Sequence, residues 1–248
     1  MSSHALDLRK LSKSYGKHQA LDQVSFKINE GEVFGFLGHN GAGKTTLIHL
    51  LTTLLRPSGG TASIFGKDIC CDAASVRKLI GYVPENVRLY DGLTTRENLR
   101  YLAGLSGVTQ LESRVDECLE YLHIEHLANK RVGSFSKGMR QRVGLAQGII
   151  HNPRLLFLDE PASGLDPLGM KQLRELILRL NRDRGTTIFM NTHLISEVSQ
   201  TCTSIGVLSL GKLVFQGSVT EVNKRFGHAG AMEELYLNVQ SLTGSRVA

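Results

Sequence analysis

Apolar residues recur along this chain with two periods, and the switches between them predict where strands give way to helices. Near the start, Leu6-Asp7-Leu8 and the stretch 20–26 alternate apolar with polar positions around a polar turn at Lys13-Ser14-Tyr15-Gly16-Lys17. Period two predicts an antiparallel β pair. The next apolar run, 33–37, is continuous, as in a strand buried on both faces of a parallel sheet. Leu47, Ile48, Leu50 and Leu51 then adopt helical spacing, which predicts a helix starting near Lys44.

Farther along, Pro57-Ser58-Gly59-Gly60 reads as a turn, 61–65 as a short strand, and 80–83 as a strand stopped by Pro84, with a loop over 85–93. Thr94 and Glu97 have capping-box spacing and open a helix to about Leu105, helix continues over 115–122, and Gly133 breaks the pattern. Ser136 is placed to cap a helix that ends before Pro153. Strands at 155–158 and 186–190 alternate with helices, one opening at Pro167 and one starting over 194–198. A hairpin over 207–215 turns at Gly211-Lys212, and a second capping box, Ser218 with Glu221, opens a last helix. The alternation predicts an α/β fold with a mostly parallel sheet. Residues 1–217 are expected to form one domain carrying a helical insertion over about 86–151, followed by a helical extension over 218–242 and a disordered tail over 243–248.

The 248 residues, 41% hydrophobic and 21% charged, suffice for one α/β unit with a subdomain. The net charge of +6 is scattered and aromatic residues are few, so nucleic acid is not an expected partner. Cys70, Cys71, Cys118 and Cys202 lack metal-binding spacing, which favours reduced thiols in the cytosol. The first residues show no signal pattern and no stretch reaches eighteen apolar residues, so membrane contact is expected only through a partner.

Chemistry enters at Gly38-His39-Asn40-Gly41-Ala42-Gly43-Lys44-Thr45-Thr46, between the apolar run and the first helix. Gly38, Gly41 and Gly43 let the backbone turn consecutive N–H groups around an anion, and the helix N-terminus adds positive potential. Lys44 can reach β- and γ-phosphates and the Thr45 hydroxyl can ligate Mg²⁺, which points to a nucleoside triphosphate with magnesium. The apolar 155–158 strand ends in Asp159 and Glu160, where ligand groups of open α/β sheets collect. Asp159 can hold Mg²⁺, and Glu160 can accept a proton from attacking water. His193, just past the 186–190 strand, can orient that water against the γ-phosphate, although a histidine taken alone is more often structural.

The order of these motifs resembles the nucleotide-binding subunit of ABC transporters over about 5–216. The resemblance identifies 38–45 as the Walker A loop, Glu85 as the glutamine-loop position, Phe135-Ser136-Lys137-Gly138-Met139 as the signature, Asp159-Glu160 as Walker B, Ser163-Gly164-Leu165-Asp166 as the D-loop and His193 as the switch histidine. It implies ATP and Mg²⁺ as cofactors, Tyr15 as a platform for the adenine ring, and Ser136, Lys137 and Gly138 as groups touching ATP held by a second copy in a head-to-tail dimer. It also implies integral membrane partners and a cytoplasmic place on the inner face of the membrane. The chain departs from the family pattern at Glu85, where an amide is usual near Mg²⁺, and at Lys137 and Met139 within the signature. Lys137 could bring a cation to the composite site or turn to solvent.

The Tyr82-Val83-Pro84-Glu85-Asn86 and signature wording, with 232–237, resembles exporter-type subunits whose membrane chains are separate. The wording of 38–46, 82–86 and 136–142 also resembles the ATPase of the nitrous-oxide reductase copper-site maturation system, which stands as an alternative. A soluble ABC ATPase acting on ribosomes or DNA fits less well, because this chain has one cassette and only 92 residues separate Lys44 from Ser136. A GTPase or small-molecule kinase lacks support, because no NKxD motif is present and Ser163-Gly164-Leu165-Asp166 and His193 stay unexplained.

Overall fold

The computed structural model of the chain describes residues 4–226 and residue 234. It has an α/β core with two sheets. Strands β1 (His4–Tyr15), β2 (His18–Asn29), β4 (Gly59–Ile64) and β5 (Lys67–Asp68) form an antiparallel sheet in the order β2-β1-β4-β5. Strands β3 (Val33–Leu37), β6 (Ile80–Val83), β7 (Leu155–Asp159), β8 (Thr187–Thr192), β9 (Ser204–Ser209) and β10 (Lys212–Ser218) form the second, in the order β10-β9-β3-β8-β7-β6. Only the β9–β10 pairing there is antiparallel.

The continuous apolar strands are buried on both faces, as their composition predicts. Side chains alternate between two cores: Val33, Leu37, Leu156, Leu158, Ile188 and Met190 face one, and Phe34, Phe36, Leu155, Phe157 and Phe189 face the other. The second core lies between the sheets and includes Leu47, Ile48, Leu50 and Leu51 of α1 (Lys44–Leu51). There Phe26 of β2 stacks on Phe34 of β3 with ring centroids 5.4 Å apart, and Phe36 and Phe189 join the same group. Each fully buried phenylalanine is worth about 1.5–3 kcal/mol. This cluster therefore fixes the antiparallel sheet against the parallel one.

The other core carries α3 (Thr95–Leu105), α4 (Leu111–Tyr121), α5 (Lys137–Ile149) and α6 (Pro167–Arg184). Thr94 caps α3 through the expected reciprocal box with Glu97. Arg114 of α4 is 8% exposed and donates to the carbonyls of Ile149 and Ile150, satisfying the carboxyl end of α5. The chain after β8 forms α7 (Ile195–Thr201).

Two local expectations need adjustment. The β1 strand runs through Tyr15, so the turn is narrower than the polar 13–17 segment, because that segment pairs with β2 even though its side chains face water. Helix α2 (Ala73–Leu79) has no counterpart in the sequence expectations, because only Val76 is buried and seven residues carry too little periodicity. The final helix, α8 (Val219–Phe226), opens on the expected Ser218–Glu221 box. Apart from residue 234, the rest of the 218–242 extension and the 243–248 tail lie outside the described residues.

Candidate functional site

Strand register brings the candidate residues to one rim. Leu37 pairs with Thr192, and Asp159 pairs with Asn191. Gly38, Glu160 and His193 therefore leave adjacent strands side by side, at the carboxyl edge where open α/β sheets bind ligands.

Gly43 closes the loop after β3 at φ +107°, and a Cβ there would lie 2.5 Å from the carbonyl oxygen of Ala20. Only glycine allows the loop both its left-handed turn and its close approach to β2. Lys44 begins α1 and is 6% exposed. Its ammonium donates to the carbonyls of Gly38 (2.6 Å) and His39 (3.2 Å) and lies 3.8 Å from Glu160. Burial pushes the Lys44 ammonium below its ordinary pKa, and Glu160 and Asp159 oppose that shift.

A cavity of about 530 Å³ opens over this loop. Its lining includes Tyr15, His39, Asn40, Gly41, Gly43, Lys44, Thr45, Thr46, Glu85, Glu160, Asn191 and His193. Gly38 and Ala42 stand behind the wall: Ala42 packs into the core and its N–H donates to the His39 carbonyl at 3.1 Å. Asp159 also lies behind the wall, 5% exposed.

Glu160 sits at φ +47°, its N–H donating to the Asn191 carbonyl at 2.9 Å. Its carboxylate faces His193, whose Nδ1 lies 2.8 Å from Oε2 and whose backbone N–H donates to the same oxygen at 3.3 Å. Two of the three catalytic candidates, Glu160 and His193, 33 residues apart, are thus direct partners.

Burial holds the Asp159 carboxyl above its ordinary 3.8; the bond from Asn191 Nδ2 (2.5 Å) opposes the shift, and Glu160 and Glu85 add to it. Tyr82 is pushed up to about 12 by burial and by Asp159. As pH rises from 3.8 through the raised native value, the unfolded chain releases the Asp159 proton first, so the native state loses stability. Asp159→Asn is therefore expected to raise Tm at neutral pH in magnesium-free buffer, each kcal/mol reading as about 2–4 °C in a chain of this size. A lower Tm by calorimetry would show that the carboxylate supports the fold.

Ser136 caps α5, accepting from the Met139 N–H at 3.3 Å and keeping its own proton to donate. It lines a separate cavity of about 490 Å³ with Lys137 and Gly138. Tyr15 and the phosphate loop share no lining residue with that cavity. Lys137 does not simply point to solvent: its ammonium lies 3.4 Å from Ser163 Oγ, and the same hydroxyl donates to Glu85 Oε1 at 3.1 Å. Met139 packs against the larger core.

Sequence reasoning missed Asn191 and Tyr82 as companions of Asp159. For Asn191 the one signal was an amide ending an otherwise apolar strand; Tyr82 gave none. Among the described residues, no helix is long and apolar enough to cross a membrane.

Residues 21–163 match the family described as ABC transporter. The chain is 40% identical over 215 residues to the bacitracin transport ATP-binding protein BcrA of Bacillus licheniformis, covering 87% of this chain and 70% of that protein. It is similar to the solved ATP-binding subunit of an ABC transporter, with a TM-score of 0.84 and 31% identity over 95% of this chain and 99% of the other. A dimeric ATP-binding cassette in a post-hydrolysis state with ADP and Pi has a TM-score of 0.78 and 26% identity, over 86% and 98% of the two chains. The copper-site maturation reading gains no support from these relatives.

Proposed function

The chain belongs to the ABC transporter family as an ATP-binding, ATP-hydrolysing subunit, and from that premise we propose that it works as one half of a head-to-tail pair coupled to separate membrane-spanning subunits. The observation that carries the pairing is the separation of the two cavities. Within one copy the Ser136 helix terminus and the phosphate loop line different cavities with no residue in common. A twofold pair would set each Ser136 terminus against the other copy's phosphate loop, so that bound ATP becomes part of the interface.

In this reading the loop N–H groups between Gly38 and Thr46, other than that of Ala42, and the Lys44 ammonium hold the phosphates, while Tyr15, 47% exposed at the rim, offers a ring to the adenine. Lys13 already stands 5.2 Å above that ring. Magnesium fits the oxygen donors present: the Thr45 hydroxyl and Glu85 on the cavity wall and, behind that wall, the Asp159 carboxylate, with the buried Asn191 Oδ1 lacking a partner. Among the described residues no cluster of three or more His, Cys, Asp or Glu forms a metal cage, as suits a cation shared with nucleotide oxygens. When bound, the ion withdraws charge from the phosphates. Glu160 accepts the proton of the attacking water and His193 fixes the direction of its carboxylate.

The likeness to a bacitracin transport protein supports a transport role over ribosome or DNA remodelling. The subunit would then sit on the cytoplasmic face of the cell membrane, held there by its membrane partners. Residues 1–217 form the ATPase domain in this reading, with 86–151 as its helical insertion.

A covalently linked pair tests the composite site. With Lys44→Ala in one half and Ser136→Arg in the other, one site carries both lesions and the other none. ATPase activity is expected to exceed that of linked pairs carrying either lesion twice. A mixed pair as inactive as both, beside an active linked wild type, overturns independent composite sites.

A further inference from the structure

Two of the three departures from the family pattern, Lys137 and Glu85, meet at one hydroxyl. Lys137 is the first residue of α5, where the helix N-terminus disfavours a cation. Lys137 is exposed, but its stem runs over Gly164: a Cβ on Gly164 would come within 3.1 Å of Nζ and 3.3 Å of Cδ. Gly164 sits at φ +69°, so glycine serves both the turn and the passage of the lysine.

Ser163 has one proton to give, and Glu85 Oε1 receives it at 3.1 Å, while the hydroxyl oxygen takes a bond from the Lys137 ammonium at 3.4 Å. The polarity is fixed, because ammonium cannot accept and carboxylate cannot donate. The relay joins the start of α5, the turn after β7 and the segment after β6, and so ties the signature cavity to the phosphate-loop cavity of the same copy.

We propose that Lys137 and Ser163 are positioning residues that hold the Glu85 carboxylate at the hydrolytic site, so that events at one copy's signature motif reach that copy's own phosphate loop. The inference rests on reading Glu85 as part of the hydrolytic site.

A double-mutant cycle on the full chain tests it. Lys137→Met keeps the stem and removes the charge; kcat for Mg-ATP is expected to fall about fivefold with KM for ATP within about twofold, and Lys137→Arg to restore most of the loss. In a Ser163→Ala background, Lys137→Met should change kcat by less than about twofold, since the relay is already cut. An undiminished effect in that background means that Lys137 acts on nucleotide directly and overturns the relay, as does no effect in the parent. Glu85→Gln with unaltered kcat and Mg²⁺ titration removes the reading beneath it, a separate failure from lack of coupling.

Discussion

Glu160→Gln is expected to bind Mg-ATP with near-parental affinity and to hydrolyse it about 10²–10⁴-fold more slowly, the range lost when a positioned general base is removed. The substitution keeps size and hydrogen-bonding shape. The remaining carbonyl can still face the His193 N–H, which now lies 3.3 Å from Oε2, and Asn191 still receives the residue-160 N–H. What disappears is an oxygen basic enough to take a proton from water. Because Lys44 and Thr45 still engage the phosphates, nucleotide accumulates unhydrolysed and a dimer should build up in light scattering. A variant that releases phosphate at the parental rate would move the base elsewhere in the cavity.

Lys44→Ala is expected to weaken ATP binding by about 10- to 100-fold, with turnover falling further, since hydrogen bonds to charged partners contribute about 1.5–3 kcal/mol. The ammonium is confined beforehand, 2.6 Å from the Gly38 carbonyl and 6% exposed, so little order remains to be imposed when phosphate arrives. Titration calorimetry with ATP reads the affinity, and a circular dichroism melt separates lost binding from lost fold. An unchanged dissociation constant would detach Lys44 from the phosphates.

Features set by neighbours in sequence were legible beforehand. The glycine spacing of 38–43 announced the phosphate loop, and the Thr94–Glu97 and Ser218–Glu221 boxes announced their helix starts, because both partners lie three residues apart. Continuous apolar runs likewise announced β3 and β7 and their burial, whereas β8 was expected only as a strand. Contacts closed by tertiary folding were not legible. Ser163 reaches Glu85 across 78 residues and Lys137 across 26, and no local pattern encodes either distance. Sequence alone left Lys137 undecided between ligand and solvent; the structure leaves it exposed, with its ammonium against Ser163. The backbone of Glu160 was equally hidden, because nothing in Leu-Asp-Glu-Pro marks a left-handed residue.

That backbone has a consequence for engineering. A side chain held at φ +47° costs on the order of 1–3 kcal/mol, which glycine at 160 would recover while also deleting the carboxylate. A library of this chain sorted for heat resistance alone should therefore enrich glycine at position 160 and return sturdy, well-folded proteins that no longer turn over nucleotide. Sorting for phosphate release at elevated temperature keeps the acid and directs the gains to other positions.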